Sequence, residues 1–205
     1  MSSRNYSDLL KLCYSYLRYK VSDGNIEIED SCKRALKELE EISSFKYRYV
    51  ELNHLIDELN KEPYVKFLKG SKQYYLVATT LGVMVDKRIH LLSKTDMPYM
   101  IIFNACAAAY LEYLADNYEI ENLGDDISYR FCPGYGGSSV SDLVKLKKYI
   151  NPEKIGIQVF DSGMMLPEKS MIGIVSRNKN LNKTCDGCVL DEKCIYKKEG
   201  KKCYS

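Results

Sequence analysis

Apolar residues recur at helical spacing through most of the first 120 positions. In DLLKLCYSYL (8–17) and DSCKRALKELEEI (30–42) they predict two helices with one apolar face each, the second with Asp30 as its N-cap. YRYVELNHLIDEL (47–59) continues in the same style and is read as a further helix, with a strand at its tyrosine-rich start as the alternative. KQYYLVATT (72–80) is β-branched and aromatic, which predicts a strand, with Gly82 after it. GVMVDKRIHLLSK (82–94) and MPYMIIFNACAAAYLEYLADNYE (97–119) predict two more helices, with Pro98 near the start of the second. Ala105, Ala107, Ala108 and Ala109 suit that second helix to close packing.

The texture changes after Gly124. ISYRFC (127–132) alternates like a strand, GYGGSS turns, and SVSDLVKLKKYI (139–150) predicts a helix with serine or aspartate at its start. NPEK breaks that helix. IGIQVFDS (155–162) and SMIGIVS (170–176) then read as two strands, and the short joint between them favours antiparallel pairing. The expected fold class is α+β, helices packed on an antiparallel sheet, over residues 1–177, with a small cysteine-rich tail over 178–205.

Composition narrows the function classes. Net charge is +2 over 205 residues, so no bulk basic footprint calls for nucleic acid or an anionic membrane. The start has charges throughout and no apolar h-region. The longest uncharged apolar stretch, 97–111, is too short to span a bilayer. A cytoplasmic location is expected, where the eight cysteines stay reduced unless they hold metal or do redox chemistry. His54 and His90 are the two histidines, which leaves little room for histidine-based catalysis; His90 reads as a surface helix position. No nucleophile–base pair accompanies them.

The stretch RFCPGYGGSS (130–139) concentrates the chemistry. It has neither the Gly-Lys-Ser/Thr end of a triphosphate loop nor GxGxxG spacing. Its glycines let backbone approach a ligand closely, the following helix start favours an anion, and Arg130 offers a planar fork for a carboxylate. On these residues alone a structural turn beside a surface arginine is the simpler reading.

The ordered blocks around it change that balance. Arg130, Pro133, Gly134 and Tyr135, then Ile155 and Gly156, then Met165, Pro167, Ser170 and Gly173, resemble the activation domain of cobalamin-dependent methionine synthase. TTLGVMVDKRI (79–89) is similar to its stand-alone members. The resemblance is strong over 129–176, fainter over 70–120, and does not extend over the first 60 residues. It implies an α+β domain around a twisted antiparallel sheet that binds S-adenosylmethionine along the R-x-x-P-G-Y segment. The implied task is reductive reactivation of a cobalamin-dependent methyltransferase or corrinoid protein, with a flavodoxin or ferredoxin as electron donor. Cobalamin would be reached only through that partner. On the family pattern Arg130 meets the methionine carboxylate and Pro133, Gly134 and Tyr135 line the ligand. The family's acidic helix aligns with AAAYLE, so its first glutamate falls on Ala108 and Glu112 is retained. A second family acid falls on Gly124, with Asp125 and Asp126 adjacent as replacements. The alternative is a non-catalytic docking or electron-relay module that has lost S-adenosylmethionine binding.

The tail reads Cys185-x2-Cys188-x5-Cys194-x8-Cys203, a metal-ligand spacing that fits zinc or an iron–sulfur cluster. Eight Lys/Arg against four Asp/Glu from Arg177 onward would offset four thiolates. A zinc-ribbon reading with nucleic acid as partner ranks last, because that charge is absorbed locally. Cys13, Cys32 and Cys106 read as buried small hydrophobes. Cys132 lies in the ligand loop without a histidine to activate it.

Overall fold

The computed structural model describes residues 5–19 and 25–178. The first two helices are α1 (Tyr6–Leu17) and α2 (Ile26–Ile42). Asn25, not Asp30, caps α2: its side chain accepts from the Ile28 amide, and Asp30 instead pairs with Lys33 on the helix surface. Residues 46–52 form a strand, β1 (Lys46–Leu52), where a helix was the first expectation. Alternating tyrosines suit a pleated edge, and the full-length ladder with β2 (Tyr74–Thr80) decides the matter. A short helix, α3 (Tyr64–Leu68), lies between the two.

β2 is the central strand of the sheet β1-β2-β5, where β5 is Ser170–Ser176, and both pairings are antiparallel. Burial on both faces explains its near-continuous apolar run. Leu76 and Ala78, with Ile172 and Ile174 of β5, pack on one face with α3 and α6 (Asp142–Ile150). Tyr75, Val77 and Val175 pack on the other, against Leu123 at the end of α5 (Met97–Leu123). α5 follows α4 (Val83–Thr95); Asp96 caps it through the Tyr99 amide, and Pro98 sits in its first turn as expected. Its 27 residues carry the core shared by α1, α2 and α4, so apolar residues occur all round it.

Two strand expectations need correction. Residues 127–132 make only isolated bridges, Ile127 to Arg177 and Phe131 to Ile174. Residues 155–162 contribute only β3 (Gln158–Val159), which pairs with β4 (Met165–Leu166) in its own small hairpin. The turn closes within 160–164, where the Phe160 amide donates to the Met164 carbonyl, so β5 is free to pair with β2 instead. Among the described residues no helix is long and apolar enough to cross a membrane.

Candidate functional site

The segment after α5 runs alongside β5. The Phe131 amide donates to the Ile174 carbonyl at 2.9 Å, and the Ile174 amide donates back to the Phe131 carbonyl at 2.8 Å. Phe131 turns into the α3/α6 core, and Arg130, one residue earlier, points the other way, toward α5. Its guanidinium is almost fully buried, with 5% of the side chain exposed. Nη2 donates to Asp116 Oδ1 at 2.9 Å and Nη1 to Glu119 Oε1, so both arms of the fork are taken by acids of one helix turn. Tyr47 from β1 also donates to Glu119 Oε1, at 2.7 Å, and stacks on Tyr118. Burial alone would push the Arg130 pKa down, but Glu119 and Asp116 hold it well above its ordinary value. Burial pushes Glu119 above the ordinary carboxylate range, against the pull of Arg130.

The loop that follows is held by its own backbone. The Gly134 amide donates to Ser138 Oγ at 3.0 Å, and that hydroxyl donates to the Tyr135 carbonyl at 2.7 Å. Gly134 and Gly136 both have positive φ, and Gly136 lies against the Phe131 ring where a Cβ would stand 2.9 Å from Cε2. Pro133 is buried, whereas Tyr135 is 63% exposed. The start of α6 does not offer the anion site expected of it. Its opening amides are used in turns, Asp142 to Ser139, Leu143 to Val140 and Val144 to Ser141, and the Asp142 carboxylate stands at the positive end of the helix. That carboxylate is buried and accepts from Tyr64 at 2.9 Å and Lys61 at 2.6 Å, which anchors the loop at its exit.

Glu112 on α5 lies against α1. The Tyr16 phenol hydrogen-bonds the Glu112 carboxylate, with Tyr135 and Cys132 within electrostatic range of it. Burial of the phenol raises its pKa, and the negative charge of Glu112 raises it further. Glu112 thus bonds Tyr16, a residue the sequence reading did not single out, while Cys132 and Tyr135 act on it only at electrostatic range. The structure also shows two missed acids. Glu112, Asp116 and Glu119 follow one another by four and three residues on α5, so a single helix face carries all three. That spacing was the available signal. Ala108 lies one turn before Glu112 on the same face, and Asp126 accepts from Arg177 at 2.5 Å instead of facing Arg130.

The remaining candidates are quickly placed. Cys13, Cys32 and Cys106 are fully buried, and Cys106 hydrogen-bonds both others. Cys132 is half-buried, and His54 and His90 are exposed. Cys185, Cys188, Cys194 and Cys203 lie outside the described residues. Among the described residues no group of three or more His, Cys, Asp or Glu is arranged to hold a metal ion.

No family model matches the chain, and no curated protein matches it in sequence. Among solved structures it is similar to one described as the MetH reactivation domain bound to AdoHcy. The identity is 16%, the TM-score is 0.56, and the match covers 98% of this chain and 79% of that one. The resemblance drawn from the ordered sequence blocks therefore holds at the level of fold: this chain has the α+β architecture of a MetH reactivation domain.

Proposed function

We propose that the chain is an accessory protein for reductive reactivation of a cobalamin-dependent methyltransferase, with S-adenosylmethionine held between α1, α5 and the 130–139 loop. The observation that supports this is the hydrogen bond of the Tyr16 phenol to Glu112, with Tyr135 and Cys132 within electrostatic range of it. It occurs in a fold of which one solved example holds AdoHcy. Glu112 sets a negative charge where a sulfonium or ammonium group gains most from one. Pro133, Gly134 and Tyr135 supply backbone and an exposed ring to line the adenosyl portion, and Arg130 fixes the loop to α5 by its two ion pairs. The partner's corrinoid supplies the methyl-accepting cobalt, and a flavodoxin- or ferredoxin-type donor supplies the electron. This chain's contribution is positioning.

The cysteine tail enters this reading as an iron–sulfur or zinc site on its spacing and its surplus of lysine. A second reading, a docking or electron-relay module without a methyl donor, is favoured by one observation: the Arg130 fork is already filled.

The test is calorimetric titration of S-adenosylmethionine into anaerobically purified protein and a Glu112→Gln variant. Binding by the parent, weakened about tenfold or more in the variant, supports the donor role. No binding by the folded parent leaves the docking module.

A further inference from the structure

The loop that carries R-x-x-P-G-Y is fastened from both faces of the sheet. On one face Arg130 holds its start to α5. On the other, a single residue of α3 reaches both of its ends. The Tyr64 ring is wholly buried and meets the Phe131 ring edge-on, with centroids 5.5 Å apart. Its phenol donates to Asp142 Oδ2 at 2.9 Å, and Lys61 holds the other oxygen of that carboxylate at 2.6 Å. Both contacts lead into the loop. Gly136 lies against the Phe131 ring. The Asp142 amide donates to the Ser139 carbonyl at 3.1 Å, next to Ser138, whose hydroxyl joins the Gly134 amide to the Tyr135 carbonyl. Those inner bonds are turns spanning three or four residues, which set local shape and leave the span from Phe131 to Asp142 to the groups that hold its ends. Phe131 is pinned to β5 by its backbone bridge, so Tyr64 sets the exit of the loop from a fixed point.

Resting on the adenosyl-binding reading above, we infer that Tyr64 is the positioning residue of the ligand loop. It ties Asp142 to Phe131 and thereby sets the spacing at which Pro133, Gly134 and Tyr135 are presented. It acts through Asp142, with Lys61 as the second anchor of the same carboxylate. A loop whose exit is released holds its binding geometry for a smaller fraction of the time, and apparent affinity falls by that fraction.

Tyr64→Phe keeps the ring against Phe131 and removes only the phenol bond. Residue-resolved amide hydrogen exchange on the full-length protein gives a readout that needs no ligand. Exchange at the Gly134, Ser138 and Asp142 amides should rise about tenfold, the scale of a lost hydrogen bond to a charged group. Leu76 and Ile174 in the sheet should change only as far as the unfolding midpoint does. S-adenosylmethionine titrated into the same variant should bind about tenfold more weakly than to the parent. Lys61→Met, at a side chain 42% exposed, loosens the same anchor without opening the core and should act in the same direction should Tyr64→Phe not fold. Loop exchange that rises no more than sheet exchange in these variants overturns the inference, because the residue is then merely structural. Parent-like affinity despite faster loop exchange overturns it too. Selective loop exchange in variants of a parent that binds no S-adenosylmethionine keeps the anchor and overturns the adenosyl-binding reading.

Discussion

Gly173 lies directly beneath Arg130: a Cβ there would stand 2.7 Å from Arg130 Cγ and 3.1 Å from Cys132 Sγ. The glycine is thus a matter of space, since β5 and the loop segment cross too closely for any side chain between them. Gly173→Ala should force the arginine stem outward, disturb both of its ion pairs, and cost about 1–3 kcal/mol as overpacking. Urea unfolding of the variant checks this; stability equal to the parent would mean that the crossing can widen freely.

Arg130 is ion-paired with two carboxylates that are themselves buried. Removing it alone leaves both without a counter-charge, so Arg130→Met is expected to cost about 3–5 kcal/mol. Adding Asp116→Asn and Glu119→Gln to the same chain should recover much of that loss. Recovery would show that uncompensated charge, and not lost packing of the arginine stem, is the source of the damage. A triple variant as unstable as the single one argues the reverse.

The same cluster sets a pH dependence with an unusual sign for a carboxylate. Burial raises the Glu119 pKa above the ordinary value, so the folded state binds this proton more tightly than the unfolded chain does. Its contribution is greatest below the unfolded value of about 4.3 and declines as pH rises through the raised folded value. Stability of the parent relative to Glu119→Gln should therefore fall between acid and neutral pH. A difference between the two proteins that is flat across that range would show that Arg130 and Tyr47 cancel the effect of burial.

Legibility in the sequence followed the range of the interactions. α1, α4 and α5 were readable because a helix is dictated by its own residues, and β2 because a strand buried on both faces carries a run of aromatic and β-branched residues. The start of α2 was misplaced: Asp30 stands inside the helix that Asn25 opens. Tyr47 and Tyr49 fit a helix or a strand locally, and only pairing with β2 chooses. The partner of β5 was missed for the same reason, since β2 lies far away in sequence and the nearer candidate, 155–162, turns back on itself. At the site, Arg130 and Tyr135 were singled out as motif residues, but the acids that close on Arg130 were not. Their positions on α5 are regular, yet nothing in the local sequence says which helix face meets the loop.

The cysteine tail makes an independent prediction. Among the described residues the sheet already has packed layers on both faces, so the domain should hold its fold without the tail. Four thiolates at the spacing of Cys185, Cys188, Cys194 and Cys203 should bind about one zinc ion or one iron–sulfur cluster per chain. Elemental analysis of anaerobically purified protein, with acid-labile sulfide measured alongside, distinguishes the two. Cys185→Ser/Cys188→Ser should abolish the metal and leave the melting temperature of the domain nearly unchanged. Cys106→Ala should do the opposite, because that thiol fills space in the helical core. Metal retained after loss of Cys185 and Cys188 would remove the tail from the account, and a collapse of the melting transition would show that tail and domain fold as one unit.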